Sequence, residues 1–231
     1  MINSSLDKRL LSCADYVRAG AVFADIGTDH GYLPIFLLKS GRIKSACLSD
    51  VNEGPLSSAA RNVAESGLSD RCEFVLTDGA AALFGKGITD YAICGMGGVL
   101  ISEIIDAAEH LKDKNVRLIL QPMTRQAHLR KYLSENGFDI LDERYSSADG
   151  KYYVTLLVEF SGECRELDAI EAELGKKREH TVDRVEYLGY LKTKESSFSK
   201  TVRGREQGRL DATEEKKILG AIMDRISELK A

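Results

Sequence analysis

From Val22 to Gly162 short apolar runs alternate with segments whose apolar residues recur every three to four positions, and this alternation constrains the fold more than any other feature. It is the order of an α/β protein built on a parallel sheet. Strands are expected at residues 22–27, 45–50, 73–78, 91–95 and 117–122, most of them continuous apolar runs suited to burial on both faces. Helices are expected at 33–39, 55–66, 99–111 and 126–136, with Gly67 and Gly137 placed to end the second and fourth. The block closes with two strands, 138–145 and 151–160, joined by a polar loop as a terminal hairpin. Ahead of it, Leu6, Leu10, Leu11, Ala14 and Val17 have helical spacing and predict a flanking helix that packs on the core.

Past Gly162 the alternation stops, and 15 Lys+Arg and 14 Asp+Glu follow from Cys164 to Ala231. Leu219, Ile222, Ile226 and Leu229 are spaced 3, 4, 3, while Val182, Val185, Leu188, Leu191, Phe198 and Val202 supply a second seam. The pattern predicts an antiparallel helical hairpin with coiled-coil packing and a turn near 204–208. Two domains are therefore expected, 1–162 and 163–231, the first able to fold without the second. With 231 residues, 43% hydrophobic and 29% charged, the chain has the composition of a globular protein, and 32 Lys+Arg against 36 Asp+Glu exclude a dedicated polycation. No apolar run reaches the roughly 18 residues of a membrane helix, and residues 1–9 lack a signal-peptide core, so neither membrane insertion nor export is expected. The five cysteines are scattered and never spaced CxxC, which predicts reduced thiols, no disulfide frame and no metal site.

The most informative motif is A-D-I-G-T-D-H-G-Y-L-P, from Ala24 to Pro34, which leaves the first strand and opens the first helix. Ligands of doubly wound sheets bind there. A dinucleotide loop needs a second glycine for close approach of the pyrophosphate; this loop lacks it and carries the acids Asp25 and Asp29. An uncharged or cationic nucleoside fits better, with a plain strand-to-helix turn as the competing reading. Asp50 ends the second strand, where a carboxylate accepts from ribose hydroxyls. Asp78, in Thr77-Asp78-Gly79, ends the third and can take an adenine amine. Either acid alone would more often be a cap or turn residue. Three at successive strand ends describe a site for adenosine joined to a positive charge, which S-adenosylmethionine offers.

Gly95-Met96-Gly97-Gly98 ends the fourth strand and lets a flat ligand, or a closely packed helix, lie on bare backbone. Met96 can face an adenine or fill a gap, and Cys94 then stands at the pocket wall. Gln121 ends the fifth strand, free either to bond an incoming base edge or to cap a loop. His110 and His180 read as surface helix residues; His30 adjoins Asp29, and only geometry can give it a role.

Through D-I-G-T-D-H-G-Y-L-P, L-S-D, T-D-G, C-G-M-G-G-x-L-I and L-I-L-Q-P the chain resembles a class I S-adenosylmethionine-dependent methyltransferase. More narrowly, it resembles the bacterial tRNA adenine-N1 methyltransferase family called TrmK, which modifies adenine 22 in the D-arm. The resemblance runs from about Leu6 to Gly162; the tail resembles the family's coiled coil in architecture alone. It implies a Rossmann-like methyltransferase sheet with S-adenosyl-L-methionine as cofactor. The cofactor residues it implies are Asp25, Gly27, Tyr32, Asp50, Val51, Asn52, Asp78, Gly79, Cys94, Gly95 and Met96. Asp29 should face the target base as the catalytic carboxylate, with Gln121 second, for orientation.

Adenine N1 carries a free lone pair, so positioning precedes any proton transfer. A methylated base is cationic, and a fixed carboxylate near its amine would be stabilising. For gripping RNA the candidates are Arg125, Arg130 and Lys131 on the fourth helix and Lys192, Lys200, Arg203 and Arg205 in the tail, where 192–209 hold six basic and two acidic residues. A solvated helix face explains the same charges. The expected partner is tRNA, the compartment the cytoplasm and the state a monomer. A small-molecule methyltransferase with a dimerising tail, and a non-catalytic RNA-binding protein with an adenosine pocket, remain the alternatives.

Overall fold

The structure, a computed structural model, describes residues 6–177 and 183–230; Val182 and His180 lie outside them. A first helix, α1 (Lys8–Tyr16), precedes the alternating block β1 (Ala21–Ile26), α2 (Tyr32–Lys39), β2 (Ile43–Asp50), α3 (Glu53–Glu65) and β3 (Cys72–Leu76). There follow β4 (Asp90–Gly97), α4 (Gly98–Asp106), β5 (Arg117–Thr124), α5 (Gln126–Glu135), and the hairpin β6 (Phe138–Ala148) and β7 (Lys151–Phe160). The tail comprises α6 (Ala169–Leu174), α7 (Arg184–Gln207) and α8 (Thr213–Lys230). The strands form one sheet in the order β3-β2-β1-β4-β5-β7-β6, parallel across the first five, with β7 antiparallel to both neighbours.

The period of two along each strand sorts the apolar residues onto two faces. Phe23, Ala92 and Ile119 pack with α1, α2 and α3, while their neighbours Ala24, Ile93 and Leu118 pack with α4 and α5. Gly67 (φ +68°) and Gly137 (φ +78°) end α3 and α5 in the left-handed conformation that glycine adopts without strain. The long helix expected over 99–111 instead stops at Asp106, and a 3₁₀ turn at Glu109–Lys112 lodges Leu111 in the core. His110 is consequently not a surface residue. Its ring packs half-buried against Phe84 and Tyr91, and burial lowers its pKa.

The tail shares the core of the α4–α5 face. Tyr187, Tyr190 and Leu191 of α7 and Ile218, Ile222 and Ile226 of α8 join one apolar cluster with Leu129, Leu133 and Tyr145. The joint is also polar. Arg130 and Glu143, 1% and 5% exposed, pair through two contacts of 3.0 Å, and Tyr145 Oη donates to Glu143 at 2.9 Å. The remaining Arg130 amine reaches the carbonyls of Ala172 and Glu173 on α6, at 3.0 and 3.3 Å. Burial opposes the guanidinium's charge, but Glu143 more than offsets it and holds the pKa above its ordinary value. Asp183 accepts from the Tyr145 backbone N–H at 2.6 Å, and a Cβ at Gly189 of α7 would collide with the Tyr152 ring. Residue 162 thus marks a change of pattern rather than a gap between two cores. The seam is also shifted: Ile218 is buried where Leu219 is half-buried, Val185 is 78% exposed, and α7 runs through Gly204 to Gln207, which moves the turn to 208–212.

Candidate active site

Strand order sets out the site. Across the carboxyl edge of the sheet stand Asp78 after β3, Asp50 at the end of β2, Gly27 after β1, Gly95 in β4 and Gln121 in β5. The N–H groups of Gly27 and Thr28 both donate to the Ser49 carbonyl at 2.8 Å, which ties the loop after β1 to β2. Gly27 has φ +72°, and a Cβ there would collide with the Met96 methyl group, so Met96 packs against the backbone of the loop after β1.

A cavity of about 410 Å³ opens over β1 and β4. The strands contribute Asp25, Cys94 and Gly95, the loop after β1 Gly27 and Asp29, and the start of α2 Tyr32, all six anticipated from the sequence, and α1 roofs it with Arg9 and Leu10 beside Asp7. Asp25 is 9% exposed, and burial, with a smaller contribution from the Asp50 charge, raises its pKa from 3.8 to about 6. Asp29 by contrast is exposed; its carboxylate lies 3.3 Å from His30 Nε2, and the His30 ring stacks on Tyr32 at 5.1 Å. Cys94 donates to Cys13 Sγ at 3.5 Å, and that bond, together with burial, pushes its thiol well above the ordinary pKa, against reactivity. Gly95, at φ +81°, has open space where a side chain would stand.

Asp50, Val51, Asn52, Asp78 and Gly79 lie further along the same edge and do not line this cavity. Asp50 accepts from the Asn52 N–H at 2.7 Å, Val51 and Asn52 are exposed, and Gly79 backs onto Ile104. Gln121 departs from its expected role. Its side chain is wholly buried, and its oxygen accepts from Arg9 at 2.8 Å and from the Gly95 N–H at 3.2 Å, so it braces the cavity instead of offering an edge to a base. Arg9 is the residue that sequence reasoning missed; it stands beside Lys8 in the first turn of an amphipathic helix, and nothing local distinguishes the two.

The basic candidates separate. Arg130 is withdrawn as an RNA contact, because it is buried against Glu143. Arg125 is exposed at the β5–α5 junction with φ +55°. Lys131 is exposed but borders a second groove, shared with Glu173, Glu214 and Glu215 on the tail side. Lys192, Lys200 and Arg203 are exposed on α7, whereas Arg205 closes the α7–α8 turn through the Asp211 carbonyl at 2.6 Å and Glu215 at 3.2 Å.

Five parallel strands with an antiparallel seventh, and an acid-lined cavity at their carboxyl edge, are the features of a class I methyltransferase, and a methyltransferase-domain family model matches residues 6–156. The tRNA (adenine(22)-N(1))-methyltransferase of Bacillus subtilis is 32% identical over 228 residues, 97% of this chain and 95% of the relative. The solved B. subtilis m1A22 tRNA methyltransferase TrmK superposes with a TM-score of 0.77 at 29% identity, covering 99% of this chain and 98% of its own. A Streptococcus pneumoniae structure in complex with S-adenosyl-L-methionine gives 0.82 at 33% identity, covering 96% and 100%. The chain belongs to this family of tRNA adenine-N1 methyltransferases.

The residues present fit S-adenosylmethionine. A carboxylate-lined wall with open backbone at Gly95 suits a cationic nucleoside, and the loop after β1 offers acids where a dinucleotide would need a phosphate cradle.

Proposed function

We propose that the protein methylates N1 of adenine 22 in the tRNA D-arm, with S-adenosylmethionine as methyl donor. The observation that carries this reading is the row Asp78, Asp50, Asp25 along consecutive strand ends, in a chain that matches the B. subtilis enzyme over nearly its whole length. Bound there, S-adenosylmethionine supplies an electrophilic methyl group on a sulfonium.

Asp50 and Asp78 hold the ribose and adenine, and Asp25 holds the cationic end. The open Gly95 backbone leaves room for the ligand, and Gln121 fixes that backbone. Asp29, exposed at the mouth, accepts from the amine of the target adenine and stabilises positive charge gained by the ring. His30 positions this carboxylate. Because adenine inside a helix cannot reach the mouth, the base must leave its stack, and Arg125 with Lys192, Lys200 and Arg203 hold flanking phosphates. The work belongs to the cytoplasm, where tRNA is, and a monomer suffices for it.

The test is methylation of an unmodified tRNA transcript with labelled S-adenosylmethionine, followed by reverse transcription, since N1 methylation blocks pairing. A stop opposite position 22 is expected; label without that stop, or a stop elsewhere, overturns the assignment.

A further inference from the structure

The order of the edge fixes which end of the ligand meets which wall. With ribose at Asp50 on β2, the amino-acid end of the cofactor extends over β1 and β4, into the cavity beneath α1. Among the described residues, that wall carries the acids Asp7, Asp25 and Asp29 against one guanidinium, Arg9. Acids suit a sulfonium and an ammonium, but they repel the carboxylate that S-adenosylmethionine carries at the same carbon as its ammonium. By charge alone the wall would prefer the decarboxylated nucleoside, which has one more net positive charge.

Arg9 reverses that preference. Its side chain is only 21% exposed, held by Gln121 Oε1 at 2.8 Å and lying 5.8 Å from the centre of the Tyr153 ring. Gln121 is itself fixed through the Gly95 N–H, so the guanidinium is pre-aimed across the cavity at little entropic cost. Its contact to Asp7, at 3.4 Å, is long for an ion pair and leaves the fork available to a carboxylate. We propose that Arg9 recognises the carboxylate of the cofactor's amino-acid end and makes the site selective for carboxylated over decarboxylated adenosyl compounds, with Gln121 as its positioning residue. This rests on the cofactor reading above and assigns one end of that ligand to one residue.

Calorimetry on the full chain tests it with two stable ligands, S-adenosylhomocysteine and its decarboxylated amine. The unaltered protein should bind the former tighter by roughly 10- to 100-fold, the scale of a charge-assisted hydrogen-bonded pair. Arg9→Gln should weaken S-adenosylhomocysteine by that factor and leave the amine unchanged or tighter; Arg9→Lys should restore part of the discrimination. Gln121→Leu should reduce it a few-fold. Equal weakening of both ligands by Arg9→Gln would make Arg9 a structural brace and overturn the proposal, as would no weakening at all. Failure of the unaltered protein to bind either ligand would instead refute the cofactor reading, before any variant is made.

Discussion

Asp25 and Glu143 are buried to nearly the same degree, 9% and 5% exposed, on opposite halves of one sheet. Glu143, on β6, is gripped by Arg130 and capped by Tyr145. Asp25, on β1, is in no ion pair among the described residues, and burial raises its pKa to about 6. The difference lies in the source of the compensating charge. At the tail joint it comes from the chain itself and fastens two parts of the molecule; at the cavity, on the function proposed above, a cationic ligand brings it, and the cost of burial there becomes affinity.

The sharpest way to break this comparison is to remove the internal cation. Arg130→Met should cost about 3–5 kcal/mol, because it leaves a buried carboxylate without its partner, whereas Arg130→Met combined with Glu143→Leu should recover most of that loss. Chemical denaturation measures both, and a single-variant loss below about 1 kcal/mol would mean the pair does not fasten the joint.

Next in size is Asp29→Asn, which keeps shape and a hydrogen-bonding oxygen but removes charge. The cap of α2 is Gly31, so Asp29 has no cap to lose. Turnover should fall roughly 10²-fold with ligand affinities within a few-fold, as single-turnover transfer at saturating tRNA would show; a near-normal rate would end the catalytic assignment.

Asp25 yields a pH dependence. Ligand binding requires the ionised carboxylate, so S-adenosylhomocysteine should bind roughly tenfold more weakly at pH 5 than at pH 7.5, with the change centred near the pKa of about 6. Asp25→Asn should bind weakly and flatly across that range. Since the folded-state pKa lies above the ordinary 3.8, the empty protein holds its proton more tightly when folded, and this contribution to stability is lost as pH rises through about 6. Asp25→Asn should accordingly raise the Tm of the empty protein at pH 7.5, by roughly 2–6 °C. A lowered Tm would contradict the account of Asp25 as a strained, ligand-awaiting charge.

The smallest effect concerns the exposed charges of α7. Lys200→Ala with Arg203→Ala should raise the KM for tRNA a few-fold and flatten its salt dependence, without altering S-adenosylhomocysteine affinity. An unchanged salt slope would leave those residues as an ordinary solvated face.

Much of this was legible in the sequence because it depends on neighbours in the chain. The apolar runs of β1, β4 and β5, the glycines at 67 and 137, and the acids at strand ends all follow from local pattern, and parity along a strand decides which face each residue serves. What escaped depends on distant partners. Nothing in the local pattern of α1 or α5 marks Arg9 or Arg130 as facing inward; Gln121 on β5 and Glu143 on β6 turn them there. Ile218 and Leu219 are adjacent and equally apolar, and only the packing of α8 against α6 as well as α7 selects the first for full burial. The six-residue α6 is too short for periodicity to announce it, yet its carbonyls receive Arg130.

That last contact bears on how the protein is made. A ribosome releases Arg130 and Glu143 close together, but the carbonyls of α6 arrive afterwards, and Arg225, which donates to the Leu174 carbonyl and Tyr187 Oη, arrives later still. Until then the growing chain carries its ion pair and the apolar surface of α5 without a cover, open to proteases and chaperones. The arrival of α8 seals both. A chain cut short before α6 would hold every cavity residue named above and still leave that surface uncovered.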